Sequence, residues 1–446
     1  MSQTSASKTE PEPQPEPARP RPWLTPLFAL LIVVLGAVAY WPQLGNGFTN
    51  WDDNWLITEN RWIREISVAN TVTIFNPMAP QGIREELGNE YLPLRDLSYS
   101  LNYALDGYNP RGYQATNLLL HLFNSLLVML LAARISRNAL SGGLAGLLFS
   151  LHPVHVEAVS WLSSRKDLMA TFFALLAINL YWVSRLPRAG LMPSQSFVQR
   201  LRQSVRLSYW LALLCFLAAL LSKMHAVVLP ALLLLLELFG RQRLGSASLA
   251  RRALMLLPFF GIAALFTLLA MKIGSGLMRE PYGDSLASTW FTAAAAITRD
   301  AQVLVMGAPL QACVDFELRP YITPQVGAGV ALLVLMLAAG IGGWLALRRA
   351  QPSASQALLG WLGLGALWFL IALSPVSNFF VQIGTVFAER YLYLPSVGFC
   401  LTAAALATAA WERARRAAAP LNTAGSAVLV LMAAALAVAC IWQTSR

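Results

Sequence analysis

The chain has 446 residues, 57% of them hydrophobic and only 12% charged, with a mean hydropathy of +0.54. Soluble domains carry about 25% charged residues, so the composition excludes an ordinary soluble protein. The net charge of +11 sits mainly on Arg clusters at the ends of apolar runs, which reads as a topology signal and not as a nucleic-acid surface.

Residues 1–22 are polar and rich in Pro and Glu, too poor in apolar groups to offset ordering entropy, and read as a disordered cytoplasmic tail. Apolar runs follow at 23–41, 115–133, 139–157, 168–184, 208–222, 225–240, 253–271, 326–347, 357–374, 392–411 and 425–443. Lipid leaves every backbone polar group to be satisfied within the protein, and runs without alternation choose helix over barrel. The expectation is an all-α polytopic membrane protein, a bundle of about eleven transmembrane helices.

Arg134/Arg137, Arg185/Arg188, Arg241/Arg243, Arg348/Arg349 and Arg413/Arg415/Arg416 are expected on the cytoplasmic side. That holds if 286–309 stays at the outer face, as Arg299-Asp300 in its middle indicates. The outer side then carries a large first loop, 42–114, and a second, 272–325. Most of the unusual polar residues fall there. Cys215, Cys313, Cys400 and Cys440 have no CxxC spacing and indicate neither disulfide framework nor zinc site.

The first outer loop holds Trp51-Asp52-Asp53-Asn54. A half-desolvated carboxylate at the rim of a bundle can take a proton from an attacking hydroxyl; the bland alternative is a helix N-cap. Arg95-Asp96 follows, either as substrate contact or as surface ion pairing. Asn117, His121 and Asn124 recur at helical spacing in the second span, as expected of polar residues that bond between helices. In His152-Pro153-Val154-His155-Val156-Glu157 the proline predicts a kink or restart, with His152, His155 and Glu157 braced there or meeting substrate. A metal on these three is the lesser reading, since positions two apart face different sides of a helix. Arg165-Lys166, Lys223 with His225, and Glu389-Arg390 place positive charge outward, where a guanidinium or ammonium can hold a phosphate. No P-loop, GxGxxG or GxSxG motif is present, so a soluble nucleotide is not the energy source.

Phe48-Thr49-Asn50-Trp51-Asp52-Asp53, Leu92-Pro93-Leu94-Arg95, His152-Pro153-Val154-His155-Val156-Glu157-Ala158-Val159 with Arg165 and Asp167, and Glu389-Arg390-Tyr391-Leu392-Tyr393-Leu394-Pro395-Ser396 occur in order along the chain. Together they resemble the membrane domain of the transmembrane and tetratricopeptide repeat-containing (TMTC-type) O-mannosyltransferases, polytopic enzymes of the GT-C class. The resemblance implies an inverting glycosyltransferase with a GT-C-like bundle over residues 23–446 and a polyprenyl-phosphate-linked sugar as donor. It places the base on Asp52 or Asp53.

The expected arrangement has Asp52 as base. Asp53 orients the site or holds an optional divalent ion, Mg or Mn. The donor phosphate is held by Arg390 with Arg165, Lys166 or Lys223, and substrate is met by Arg95, His152, His155, Glu157, His225 and Glu389. No other cofactor is called for. The tetratricopeptide repeats are not found in this sequence, which leaves the acceptor open among protein, lipid and glycan. Low Lys with high Ala and Arg usage reads as a GC-rich bacterial genome, hence the plasma (bacterial inner) membrane with the site facing outward. The competing class is a transporter or lipid flippase, which calls for an inverted repeat and charges at the midplane.

Overall fold

The computed structural model describes residues 23–186, 207–240, 249–273, 281–307, 310–311, 316–349, 352–417 and 438–444. The expected tail and most of the eleventh expected span lie outside them.

Regular structure among the described residues is helical: α1 Leu24–Tyr40, α2 Val68–Phe75, α3 Gln81–Glu86, α4 Pro93–Asp106, α5 Pro110–Ser136, α6 Ala139–Leu151, α7 Val156–Ser160, α8 Arg165–Arg185, α9 Leu207–Ser222, α10 Leu229–Phe239, α11 Leu249–Ile273, α12 Leu286–Met306, α13 Pro324–Leu347, α14 Ala354–Leu373 and α15 Ser396–Ala417. By length and apolarity alone six helical stretches suffice to cross a bilayer, or seven if the bent pair at 139–160 is one span. The count of eleven therefore exceeds what helix length supports among these residues.

Local chemistry sets the ends. Asn109 begins α5 by accepting from the Arg111 N–H, with Pro110 at the first helical position, where its missing N–H costs nothing. α5 stops at Arg137, held at φ 56°, and the Asn138 side chain at once caps α6. Ser353 and Gln356 form a reciprocal capping box at the start of α14. α6 ends where sequence predicts: His152 is extended ahead of Pro153, and the chain restarts with a 53° bend.

Two runs of packed helices meet at α6. α9 lies on α8, α8 on α5 and α5 on α6; from the other side α12 lies on α13, α13 on α14, α14 on α15 and α15 on α6. The α13–α14 contact is backbone to backbone. A Cβ at Gly343 would meet Leu359 O at 2.5 Å, and one at Gly363 would meet Ala339 O at 2.5 Å. The first loop is folded in its own right around Leu56, Ile57, Ile63, Tyr99 and Tyr113, with Leu162 from the start of the α8 region closing this core.

The 21 residues of α8 rise about 30 Å, the thickness of the hydrocarbon core. Its two ends thus mark two faces of the bundle. Arg134 donates to Asn179 near the Arg185 end, and Asn138 donates to Glu412 on α15. The geometry gathers several of the arginine clusters at one end, and the first-loop carboxylates Asp53 and Glu90 lie with the start of α8 at the other.

Candidate functional site

After α1 the chain leaves the bundle through a short 3-10 turn, Trp41–Gly45, and returns at Asp52-Asp53 into a single π-helical turn, Asn54–Thr58. Neither side chain caps this turn. Asp53 is fully buried and accepts from the Thr49 N–H (2.9 Å), the Thr49 hydroxyl (2.8 Å), the Ser163 N–H (3.0 Å) and the Ser163 hydroxyl. Both its oxygens are committed, so the optional ion expected at Asp53 finds no free carboxylate there. Asp53 staples the first loop to the turn that begins α8.

Asp52 differs. It is half-buried, and among the described residues no hydrogen bond or ion pair reaches its carboxylate. Burial raises its pKa; Lys166 and Arg390 oppose this, while Glu90 and Asp53 add to it. Asp52 therefore sits within electrostatic reach of two cations without being neutralised by a bonded partner.

Those cations belong to a rim of ion pairs. Arg390 pairs with Glu157, whose Oε2 also accepts the Arg390 N–H at 2.8 Å. Lys223 pairs with Asp167 at 2.6 Å and Lys166 with Glu90 at 2.6 Å. Aromatic faces floor the cluster. The Arg390 guanidinium lies 4.8 Å from the Trp161 ring and 4.9 Å from Tyr391, Lys223 lies 5.5 Å from Tyr391, and His225 meets the Tyr391 edge at 6.2 Å. Burial opposes ionisation of Glu90, yet Lys166 and Arg95 hold its carboxyl down to about 2.

Several expected site residues are placed elsewhere. Arg165 is fully buried between the Tyr99 and Tyr113 rings, donating to Asn117 Oδ1 (2.9 Å), Tyr113 O (3.0 Å) and Asn102. Its donors are consumed inside the fold, which leaves no face for a lipid phosphate. Arg95 is likewise buried, on Asp96 (2.8 Å), Leu87 O (2.8 Å) and Glu90 (3.1 Å); Asp96 is thus in a buried pair and not a surface one. His152 donates through Nε2 to Leu304 O (2.8 Å) and accepts the Val154 N–H at Nδ1. His155 donates through Nδ1 to Phe149 O (2.8 Å), and its Nε2 pairs with Ser396 Oγ (2.9 Å). With both ring nitrogens engaged, these histidines brace the break and do not line the rim. Glu389 is buried, accepts the Gln311 N–H at 2.7 Å, and burial pushes its carboxyl up to about 8; Arg390 takes its counter-charge from Glu157 instead. Asn117, His121 and Asn124 bond between helices, to Val159 O, Ser150 O and Leu168 O. Among the described residues no three His, Cys, Asp or Glu groups converge as a metal site would need.

The structure adds Glu90, Trp161 and Tyr391, which the sequence reading did not single out. Glu90 stands in a polar loop without periodicity and gives no signal. Tyr391 lies within, and Trp161 just after, motifs already noted, and their spacing alone does not say which face they turn.

No family model matches the chain. It is similar to the protein O-mannosyl-transferase TMTC3 of Mus musculus, 26% identical over 84% of this chain and 41% of that protein, and to Tmtc3 of Drosophila melanogaster, 25% identical over 84% and 45%. The chain therefore spans less than half the length of these curated relatives. Among solved structures, the apo oligosaccharyltransferase of Archaeoglobus fulgidus matches with a TM-score of 0.54 at 12% identity, over 95% of this chain and 56% of that one. The same organism's AglB, in complex with an inhibitory peptide and a dolichol-phosphate, matches at 0.50 with 14% identity, over 95% and 56%. The fold is GT-C-like and all-α, and the chain is a multi-pass membrane protein.

Proposed function

We propose that this protein is an inverting membrane glycosyltransferase that moves a sugar, mannose first among candidates, from a polyprenyl-phosphate donor to an acceptor hydroxyl. The observation that carries this reading is Asp52: a half-buried carboxylate with no bonded partner among the described residues, facing Lys166 and Arg390. A base must be desolvated enough to want a proton and unpaired enough to take one.

In the proposed step Asp52 removes the acceptor's proton as its oxygen attacks the anomeric carbon. The bond from that carbon to the phosphate oxygen breaks, and its electron pair leaves on the lipid phosphate. Arg390, Lys166 and Lys223 receive the charge. Arg390 is best placed, because its guanidinium lies against Trp161 and Tyr391 and gives only Nη1 to Glu157, leaving its other donors for a phosphate. Asp53 fixes the turn that carries Asp52. Arg165 fixes the Tyr99–Tyr113 layer beneath it. The names of the relatives support O-mannosyl transfer, and the dolichol-phosphate of the archaeal neighbour supports a lipid-phosphate ligand on this fold. The gathering of arginines at the opposite end supports a site on the non-cytoplasmic face.

The test is transfer in proteoliposomes from a panel of polyprenyl-phosphate sugars, wild type against Asp52→Asn. Release of polyprenyl phosphate by wild type alone is expected. Equal release by the variant removes Asp52 as base, and no release by either across the panel removes the transferase reading.

A further inference from the structure

The three ion pairs of the rim are not equivalent. The Glu157 and Asp167 side chains are 5% and 9% exposed, whereas Glu90 is 34% exposed. A buried carboxylate stripped of its cation is left as an uncompensated charge, and that is strongly unfavourable. Glu90 can turn into water instead. Its other partner, Arg95, keeps Asp96 and the Leu87 carbonyl if Glu90 leaves. Lys166 bonds to Glu90 and to no other group among the described residues. Of the three cations, Lys166 is therefore the one whose counter-ion can be exchanged without stranding a charge.

We infer that Glu90 sets the specificity of the donor site: its carboxylate holds Lys166 in the empty site and surrenders that ammonium to the phosphate of an arriving lipid. This rests on the reading of the rim as a donor-phosphate site. An incoming anion must out-compete a carboxylate already in place, so a headgroup without an anionic group gains nothing at Lys166. The position of Glu90 beside Arg95 and Lys166 keeps it ionised through the whole working range.

The experiment is binding, separate from turnover. The purified full chain in phosphatidylcholine nanodiscs is titrated with undecaprenyl phosphate, and separately with inorganic phosphate, while tryptophan fluorescence is followed; Trp161 lies against Arg390 and reports on the site. Glu90→Gln is expected to tighten the lipid phosphate about three- to five-fold, the scale of a partly exposed ion pair. Glu90→Asp, which withdraws the carboxylate by one methylene and keeps its charge, falls between and carries the test if the glutamine variant does not fold. In a Lys166→Met background the further change Glu90→Gln should do nothing. Equal or weaker binding by Glu90→Gln overturns the inference and assigns Glu90 a structural role. So does tightening that persists without Lys166. If wild type binds inorganic phosphate as well as the lipid, the site recognises phosphate and the lipid chain adds nothing. If wild type binds neither probe and Arg390→Ala changes nothing, the donor-site reading itself fails and takes this inference with it.

Discussion

Two carboxylate–cation clusters sit at opposite ends of α8, and they are built to different ends. Near Arg185, Glu237 is fully buried and receives Arg185, Arg252 and the Tyr181 hydroxyl. Its charge is matched and its hydrogen-bonding capacity is used. Near Arg165, three ion pairs are likewise matched, yet Asp52 stands beside them half-buried and unbonded among the described residues. Clustered charge is common to both ends; the charge left unmatched distinguishes the rim. Closed networks hold helices together, and an open one has capacity left for a ligand.

The largest effect that separates them is on turnover. Asp52→Asn should lower transfer by about 10²–10⁴-fold, the worth of a positioned base, with melting temperature unchanged or slightly raised. The rise has a definite sign. Burial lifts the Asp52 pKa, so the folded state binds that proton more tightly than the unfolded chain. Its charge therefore costs stability at neutral pH, and the cost fades as pH falls through the raised value. The variant's gain should be present at pH 7 and absent near pH 4 in a thermal scan. Glu237→Gln should do the reverse: a loss of about 3–5 kcal/mol, as when one partner of a buried pair is removed, with the specific activity of the surviving folded protein retained. Equal loss of activity in both variants would erase the distinction between the two ends.

Arg390 comes next. Arg390→Lys keeps the charge but loses the planar multi-donor group and its contacts with Trp161 and Tyr391. Donor KM should rise about ten-fold with little change in kcat, provided chemistry is slow relative to donor release. A fall in kcat alone would mean that Arg390 meets the phosphate only as its charge develops in the transition state.

Glu389, buried next to Arg390 in sequence but outside the rim pairs, sharpens the comparison. Its carboxyl is raised to about 8 by burial, so it is largely protonated at pH 7. A carboxyl raised on folding costs the fold nothing below its unfolded pKa, and the cost grows until pH reaches the folded value. Wild-type thermal stability should therefore fall as pH rises from about 4.5 to about 8, and Glu389→Gln should flatten that fall, because a glutamine Oε1 accepts the Gln311 N–H equally well.

How much of this the sequence carried depends on the range of each signal. Apolar runs are local, so the helical class was legible, as was the break at Pro153. The chemical oddity of two adjacent aspartates at a rim was legible too. The counter-ions were not: Glu157 and Arg390 are 233 residues apart, Glu90 and Lys166 are 76 apart, and no pattern links them. Arg165 and Lys166 show the same limit at its shortest. Neighbours on a helix differ by about 100° in direction, so one guanidinium is sealed between two tyrosines while the next ammonium reaches the rim. Sequence assigned both to phosphate because it could not see which way α8 is turned. The count of spans is harder to read for a related reason: an apolar run in sequence does not say whether a short helix such as α6 or α10 crosses alone or as part of a broken span.

The smallest effect tests the clamp. Asp53 accepts from both the backbone and the hydroxyl of Ser163, and Ser163→Ala removes the hydroxyl alone. The backbone N–H and both Thr49 donors remain, so the carboxylate stays charged and mostly satisfied. One hydrogen bond to a charged group is worth about 1.5–3 kcal/mol when fully buried. The remaining donors should absorb part of that, and a loss of about 1 kcal/mol is expected. If Asp53 only positions the turn, kcat should drop a few-fold at most while the pH at which activity is half-lost on the acid side stays where Asp52 puts it. If Asp53 were itself the base, losing a donor to its carboxylate would show directly in that acid limb. A pH–rate profile of Ser163→Ala that moves therefore transfers the base from Asp52 to Asp53; one that stays leaves Asp53 as the staple between the first loop and α8.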